Sequence, residues 1–310
     1  MSSIKVFAPA SIGNIGIGFD IMGLALEKPG DEVIARMSNK PGLRITTISG
    51  DEGKLPYEVA RNTAGLAALR LLEHIGETGQ GIELEIHKKM PFSSGLGSSA
   101  ASAVGGVFAV SELLQTGLPK TALLHFALLG EHLASGGFHA DNVAPSLLGG
   151  IVLIRDNASL DVQTLPVPEH LYATVVYPEV EILTKDARAI LKPEISLQLY
   201  VRQSANIAAF VTGLFRNDYA LIGRSLHDVV IEPQRADLIP GFYAVKEAAL
   251  NAGVLGCSIS GSGPSVFALS DNKSVAEYAG LAMQQAFARH QITSAIFVSP
   301  VNKEGVKAIG

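Results

Sequence analysis

Apolar and polar residues alternate over positions 4–10, 30–38, 43–50 and, most regularly, 81–91, where Ile82, Leu84 and Ile86 face one way and Glu83, Glu85 and His87 the other. A period of two predicts strands. Apolar positions recur at helical spacing over 62–76, with Asn62 placed as an N-cap, and helices are predicted over about 98–114 and over 120–135. A strand at 149–154 is followed by a connector at 157–168. A second set begins with a strand at 171–178. It continues with helices near 186–191, 197–214, 217–227 and 241–252, a glycine-broken hairpin, a helix over 274–289 and a last strand at 294–300. Blocks of strands and helices without strict alternation predict an α+β fold. The division falls near residues 155–170, giving units 1–160 and 161–310.

Composition narrows the class. Of 310 residues, 47% are hydrophobic and 17% charged, enough apolar material for a core. The net charge is −5 and the longest basic run is Lys88-Lys89, so no basic stripe points to nucleic acid. One cysteine, Cys257, excludes a disulfide framework and fits a reducing compartment. The N-terminus lacks an apolar signal-peptide core, and the longest weakly polar segment, 100–110, is too short to span a bilayer. A soluble cytoplasmic protein, with no membrane or nucleic-acid partner, is expected.

The segment PFSSGLGSSAAS at 91–102 has two glycines, five serines and no charge. It lies between a predicted strand and a predicted helix. There, backbone N–H groups and the helix dipole can hold a phosphate. It is neither a Walker A loop, since Ser98 follows Gly97 where lysine would stand, nor a dinucleotide fingerprint. A plain strand-to-helix turn is the competing reading. Two further segments bear on it. APASIGNIGIGFDIMGLAL at 8–26 holds a single carboxylate, Asp20, in an apolar glycine-rich run; a helix N-cap would also explain it. GVLGCSISGSGPSVFAL at 253–269 is either a hairpin turn or a second glycine loop closing on the same ligand.

Together these segments resemble the GHMP kinases, the superfamily of galacto-, homoserine, mevalonate and phosphomevalonate kinases. Residues 91–100 match its phosphate loop, P-x-x-x-G-L-G-S-S-A. Residues 9–25 and FHADNVAPSLLGG at 138–150 are similar to the homoserine kinase forms of two further motifs. The resemblance implies two α+β domains, one like ribosomal protein S5 domain 2 and one ferredoxin-like, with ATP between them. It implies phosphoryl transfer from ATP to L-homoserine, giving O-phospho-L-homoserine for threonine biosynthesis, with Mg²⁺ as cofactor and a homodimer as assembly. A mevalonate-type kinase and a non-catalytic ligand sensor on the same fold are the alternatives.

The resemblance also implies roles. Pro91, Phe92, Ser93, Ser94, Gly95, Leu96, Gly97, Ser98, Ser99, Ala100 and Ala101 would hold ATP, with Asn62 beside the adenine unless it only caps its helix. Ser98 and Glu131 would ligate Mg²⁺; an exposed helical glutamate is the plainer reading of Glu131. Asn14 and Asp20 suit the substrate ammonium, and Arg188 and Arg235 its carboxylate, with His139, Asn142 and Gly261 lining the pocket. A metal role for His139 with Asp141 lacks a third ligand. Asp141 stands where the superfamily's activating aspartate stands, but the lysine paired with it elsewhere has no counterpart in the first motif. Asp141 is therefore expected to be either the base or a group that only orients substrate.

Overall fold

The computed structural model describes residues 2–309. β1 (Ser3–Gly13) passes through a turn at 14–21 into β2 (Met22–Met37), followed by β3 (Leu43–Ser49), α1 (Thr63–Ile75), β4 (Ile82–His87), α2 (Ser98–Leu113) and α3 (Lys120–Ser135). Then come α4 (Val143–Leu148), β5 (Ile151–Asp156) and β6 (Asp161–Leu165). β2 begins eight residues earlier than the alternation predicts, because its first five residues (Met22 to Leu26) are buried on both faces and show no alternation. The segment expected to be a connector holds β6, an edge strand paired antiparallel to β5. α4 was not expected; six residues are too few to show a helical period.

The first sheet runs β11-β1-β2-β4-β3, where β11 is Lys307–Ala308, with β5 joined to the start of β2 and β6 to β5. Among the described residues only β3 and β4 pair in parallel. α2 lies against β1 and β2, with α1 and α3 packed beside it. Almost all of α2 is buried, which explains its small residues. A Cβ at Gly105 would strike the Val33 side chain, and one at Gly106 the Ala64 carbonyl. The small residues that follow the phosphate-loop motif thus also let the helix sit close between the sheet and α1.

The second unit contains β7 (Tyr172–Pro178), α5 (Thr184–Ala189), α6 (Leu197–Arg216), α7 (Tyr219–Ser225), α8 (Glu232–Arg235), α9 (Phe242–Asn251), β8 (Gly256–Ile259), β9 (Val266–Ser270), α10 (Lys273–Arg289) and β10 (Ser294–Pro300). Its sheet is antiparallel in the order β10-β7-β9-β8, with α9 and α10 packed on it. β11 (Lys307–Ala308) then returns to the first sheet beside β1. The sheets part over residues 166–171, whereas a cut at 160/161 falls inside the β5–β6 hairpin. Phe210, Leu214, Ile222 and Phe267 of the second unit belong to the same continuous core as the first sheet, so the units are not separated by a wet seam.

Candidate active site

Ser93, Gly95 and Gly97 all take positive φ (49°, 76° and 66°), which turns the chain sharply before α2. A Cβ at Gly95 would meet the Ser260 carbonyl, and one at Gly97 the Ser11 hydroxyl, so glycine is required for space as well as for φ. The loop is clamped from both sides. Ser11 N–H donates to the Leu96 carbonyl (3.0 Å) and Ser265 N–H to that of Ser94 (3.2 Å). Ser260 Oγ donates to the Gly95 carbonyl (2.6 Å). Gly261 N–H joins the outer turns through the Gly13 carbonyl (3.1 Å). The three glycine segments therefore form one structure. It frames a cleft of about 290 Å³ lined from both units. Among the described residues no side chain caps the start of α2, which opens into this cleft.

The loop itself is uncharged, but a cation lies beneath it. Lys88, at the end of β4, is buried and paired with Asp31. Its Nζ also donates to the Ser98 carbonyl (2.8 Å) and to Ser102 Oγ (2.7 Å). These three bonds use all of its donors. Burial pulls the Lys88 ammonium below the usual lysine range, with Asp31 opposing. Sequence reasoning counted Lys88 only as half of a basic pair. The signal was parity: Lys88 continues the inward series Ile82, Leu84, Ile86, and Asp31 shares the inward parity of Val33 and Ala35.

Glu131 is buried on α3, not exposed as its helical position alone suggests. Ser99 Oγ donates to its Oε1 (2.9 Å). Its Oε2 and the Ser98 hydroxyl are buried without hydrogen-bond partners among the described residues. Burial pushes the Glu131 carboxyl up to about 7. Two unpartnered oxygens on one cleft fit a hard divalent cation that keeps several waters. Among the described residues no cluster of three His, Cys, Asp or Glu offers a protein-only cage, and His139 with Asp141 gains no third ligand.

At the other end, Asp20 (φ 61°) accepts a two-pronged pair from Arg188, at 2.9 and 2.8 Å, and lies 3.5 Å from His139 Nδ1. Burial holds His139 below the usual histidine range. Arg235 is buried, with Nε on the Ala187 carbonyl and Nη1 on that of Gly261. Burial, then the charge of Arg188, lowers its guanidinium to about 10. Phe19, which sequence reasoning did not single out, lies 5.2 Å from Arg188 and 5.1 Å from Arg235. Asp141 is buried between the two ends; burial, then the charge of Asp20, raises its carboxyl to about 7. Asn142 lies beside it, with Nδ2 3.4 Å from Asp141 Oδ2, and accepts from Ser11 Oγ (3.0 Å).

Most expected site residues meet at this cleft, but several do not line it. Pro91, Leu96, Ala100 and Ala101 are absent from its lining. Asn62 is committed elsewhere: its Oδ1 caps α1 at Ala64 and Gly65, and its Nδ2 donates to the Pro56 carbonyl. Leu55 and Thr63 line the cleft in its place. Asn14 reaches the cleft, but its polar atoms are taken by Asp20 N–H (2.9 Å) and the Gly261 carbonyl (2.8 Å). It positions Asp20 and ties the first turn to the third, and its oxygen keeps one further lone pair.

Comparison with known proteins agrees with this geometry. Residues 62–150 match the GHMP kinases N terminal domain and residues 210–289 the GHMP kinases C terminal domain. Over the full length of both chains, the sequence is 49% identical to a homoserine kinase of Chlorobium phaeovibrioides. It is 41% identical to one from Xylella fastidiosa, covering 98% of this chain and 94% of that one. The crystal structure of homoserine kinase from Cytophaga hutchinsonii superposes with a TM-score of 0.97 at 54% identity, covering 100% of this chain and 98% of that one. Mevalonate kinase from L. major shares the fold alone, at a TM-score of 0.74 and 18% identity, with 96% of each chain covered. With both halves matched and relatives aligned end to end, this chain belongs to the homoserine kinase family of the GHMP kinases.

Proposed function

We propose that the protein transfers the γ-phosphate of ATP to the hydroxyl of L-homoserine, giving O-phospho-L-homoserine for threonine biosynthesis. The observation that carries this reading is the two-ended cleft. One end has an uncapped helix start and two unpartnered oxygens; the other has one carboxylate and two guanidiniums. An amino acid zwitterion offers a partner to both signs of charge at the second end, whereas a hydroxy acid such as mevalonate offers Asp20 none. ADP release is expected with homoserine and not with mevalonate, with phosphorus NMR identifying the ester. Turnover of mevalonate alone, or tight ATP binding without turnover of homoserine, would overturn the proposal.

Phosphoryl transfer depends on positioning and charge stabilisation. The amides of the loop and of the first turn of α2 receive the phosphates. Ser98 and Glu131 would hold Mg²⁺, which supplies charge neutralisation at the phosphates when bound. Arg235, and Arg188 once free of Asp20, bind the substrate carboxylate, and Asp20 binds the ammonium. Asp141 takes the hydroxyl proton. Its carboxyl near 7 suits a base at neutral pH, and Arg188 acts on it only through space.

Both Asp141 and Glu131 must be ionised, so activity is lost as pH falls through about 7. At low Mg²⁺ the fall of kcat/KM is expected to involve two protons. At saturating Mg²⁺ it involves one, because metal and proton compete for Glu131. pH–rate profiles at two Mg²⁺ concentrations test this; a slope indifferent to Mg²⁺ removes Glu131 as a ligand.

The homodimer expected from the family has a candidate face on α6, where Leu197, Tyr200, Val201 and Phe215 are exposed. Sedimentation equilibrium of the wild type and of Val201→Glu tests it, with dissociation expected in the variant. Among the described residues no helix is long and apolar enough to cross a membrane. A free amino acid as substrate is the reason for placing the enzyme in the cytoplasm.

A further inference from the structure

The side chains assigned to opposite ends of the substrate hold each other: Arg188 places both terminal nitrogens on the two oxygens of Asp20. The partners differ in freedom. Asp20 is pinned by its N–H on Asn14 Oδ1 and by Asn157 Nδ2 on its carbonyl (3.1 Å). Its side chain is 18% exposed, against 42% for Arg188, which projects from the short helix α5. Arg235 is fixed by two carbonyls and buried. The Phe19 ring stands near both guanidiniums, giving Arg188 a surface to keep while it moves toward Arg235. Arg188 is therefore the partner with more freedom to move.

We infer that the Asp20–Arg188 pair is a gate keyed to zwitterions, an inference that rests on the proposed homoserine site. A ligand with only a carboxylate can recruit Arg188 only by leaving Asp20 unpaired. One with only an ammonium strands Arg188. A ligand with both replaces the lost pair at each partner. Losing a partner costs a partly buried charge more than exchanging it does. Selectivity for amino acids over hydroxy acids and amino alcohols then comes from the resting pair as well as from the contacts made in the complex.

The test is calorimetric binding of three probes to the intact protein: L-homoserine, 4-hydroxybutanoate and 3-aminopropan-1-ol. The variants are Asp20→Asn, Arg188→Gln and the double variant. Asn tolerates positive φ, so the backbone at position 20 is preserved. Asp20→Asn is expected to weaken homoserine and to tighten 4-hydroxybutanoate by roughly tenfold or more, the size of one charged hydrogen-bonded pair. Arg188→Gln is expected to tighten 3-aminopropan-1-ol similarly. The gain for 4-hydroxybutanoate is expected to vanish when Asp20→Asn is made in the Arg188→Gln background. A gain that persists there is a simple field effect of removing a negative charge and overturns the gate, as does no gain in the single variant. Wild-type affinity for homoserine reports on the functional reading separately, because the half-ligand comparison does not use it.

Discussion

Asp141→Asn is expected to lower kcat by about 10²–10⁴-fold, the usual contribution of a general base. Its KM for ATP is expected to stay within a few-fold, because the phosphates are assigned to the helix start and to Glu131 rather than to Asp141. The same substitution is expected to stabilise the protein at alkaline pH. Folding raises the Asp141 carboxyl from an ordinary 3.8 to about 7, so the folded state disfavours its charged form. Stability fully present below about pH 4 is then lost as pH rises through 7. Asparagine stays neutral throughout. The variant should match wild type near pH 4 and exceed it at pH 8 by at most roughly 4 kcal/mol, taking about 1.4 kcal/mol per unit. Denaturant midpoints at the two pH values measure this. A slow but more stable variant marks Asp141 as a group held in a costly state for chemistry. A rate within about threefold of wild type excludes the base role and leaves Asp141 as an orienting group.

Much of this site was legible in the sequence because its parts are local patterns. The glycines at 95 and 97, the strand before them and the helix after them are contiguous, and the chemistry of a helix start follows from that order. What stayed hidden depends on contacts that span the chain. Asp20 and Arg188 are 168 positions apart, and nothing in either segment shows that they pair. Asn14 reads as a polar group free for a ligand, yet the turn it stabilises uses both its ends. Asn62 fitted two roles, and only its partners show the cap. The missed strand β6 is an edge strand with most of its side chains outside the core, and so lacks the alternation that marked β4. Lys88 is different. Its parity placed a charge on the buried face of the most regular strand in the sequence, and a second inward charge at Asp31 was there to pair with it.

That buried pair carries the other large expectation. Lys88→Met removes one partner and leaves Asp31 buried and uncompensated, a change that typically costs about 3–5 kcal/mol. Adding Asp31→Asn removes the stranded charge and keeps an oxygen for the Lys89 N–H, which donates to Asp31 at 2.8 Å. The double variant Lys88→Met/Asp31→Asn is therefore expected to recover most of the stability, since a neutral replacement of a buried ion pair is often tolerated. It does not recover the bonds from Lys88 to the Ser98 carbonyl and Ser102 hydroxyl, which fix the first turn of α2. Nor does it restore the positive end of the pair beneath that turn. Its KM for ATP is accordingly expected to stay raised by about tenfold or more, in line with one charged hydrogen bond, while its unfolding midpoint returns toward wild type. Steady-state kinetics and chemical denaturation on the same three proteins separate the effects. If stability and KM recover together, Lys88 is only a post supporting the core. If stability recovers alone, the uncharged loop owes its grip on phosphate partly to a lysine that never needs to touch it.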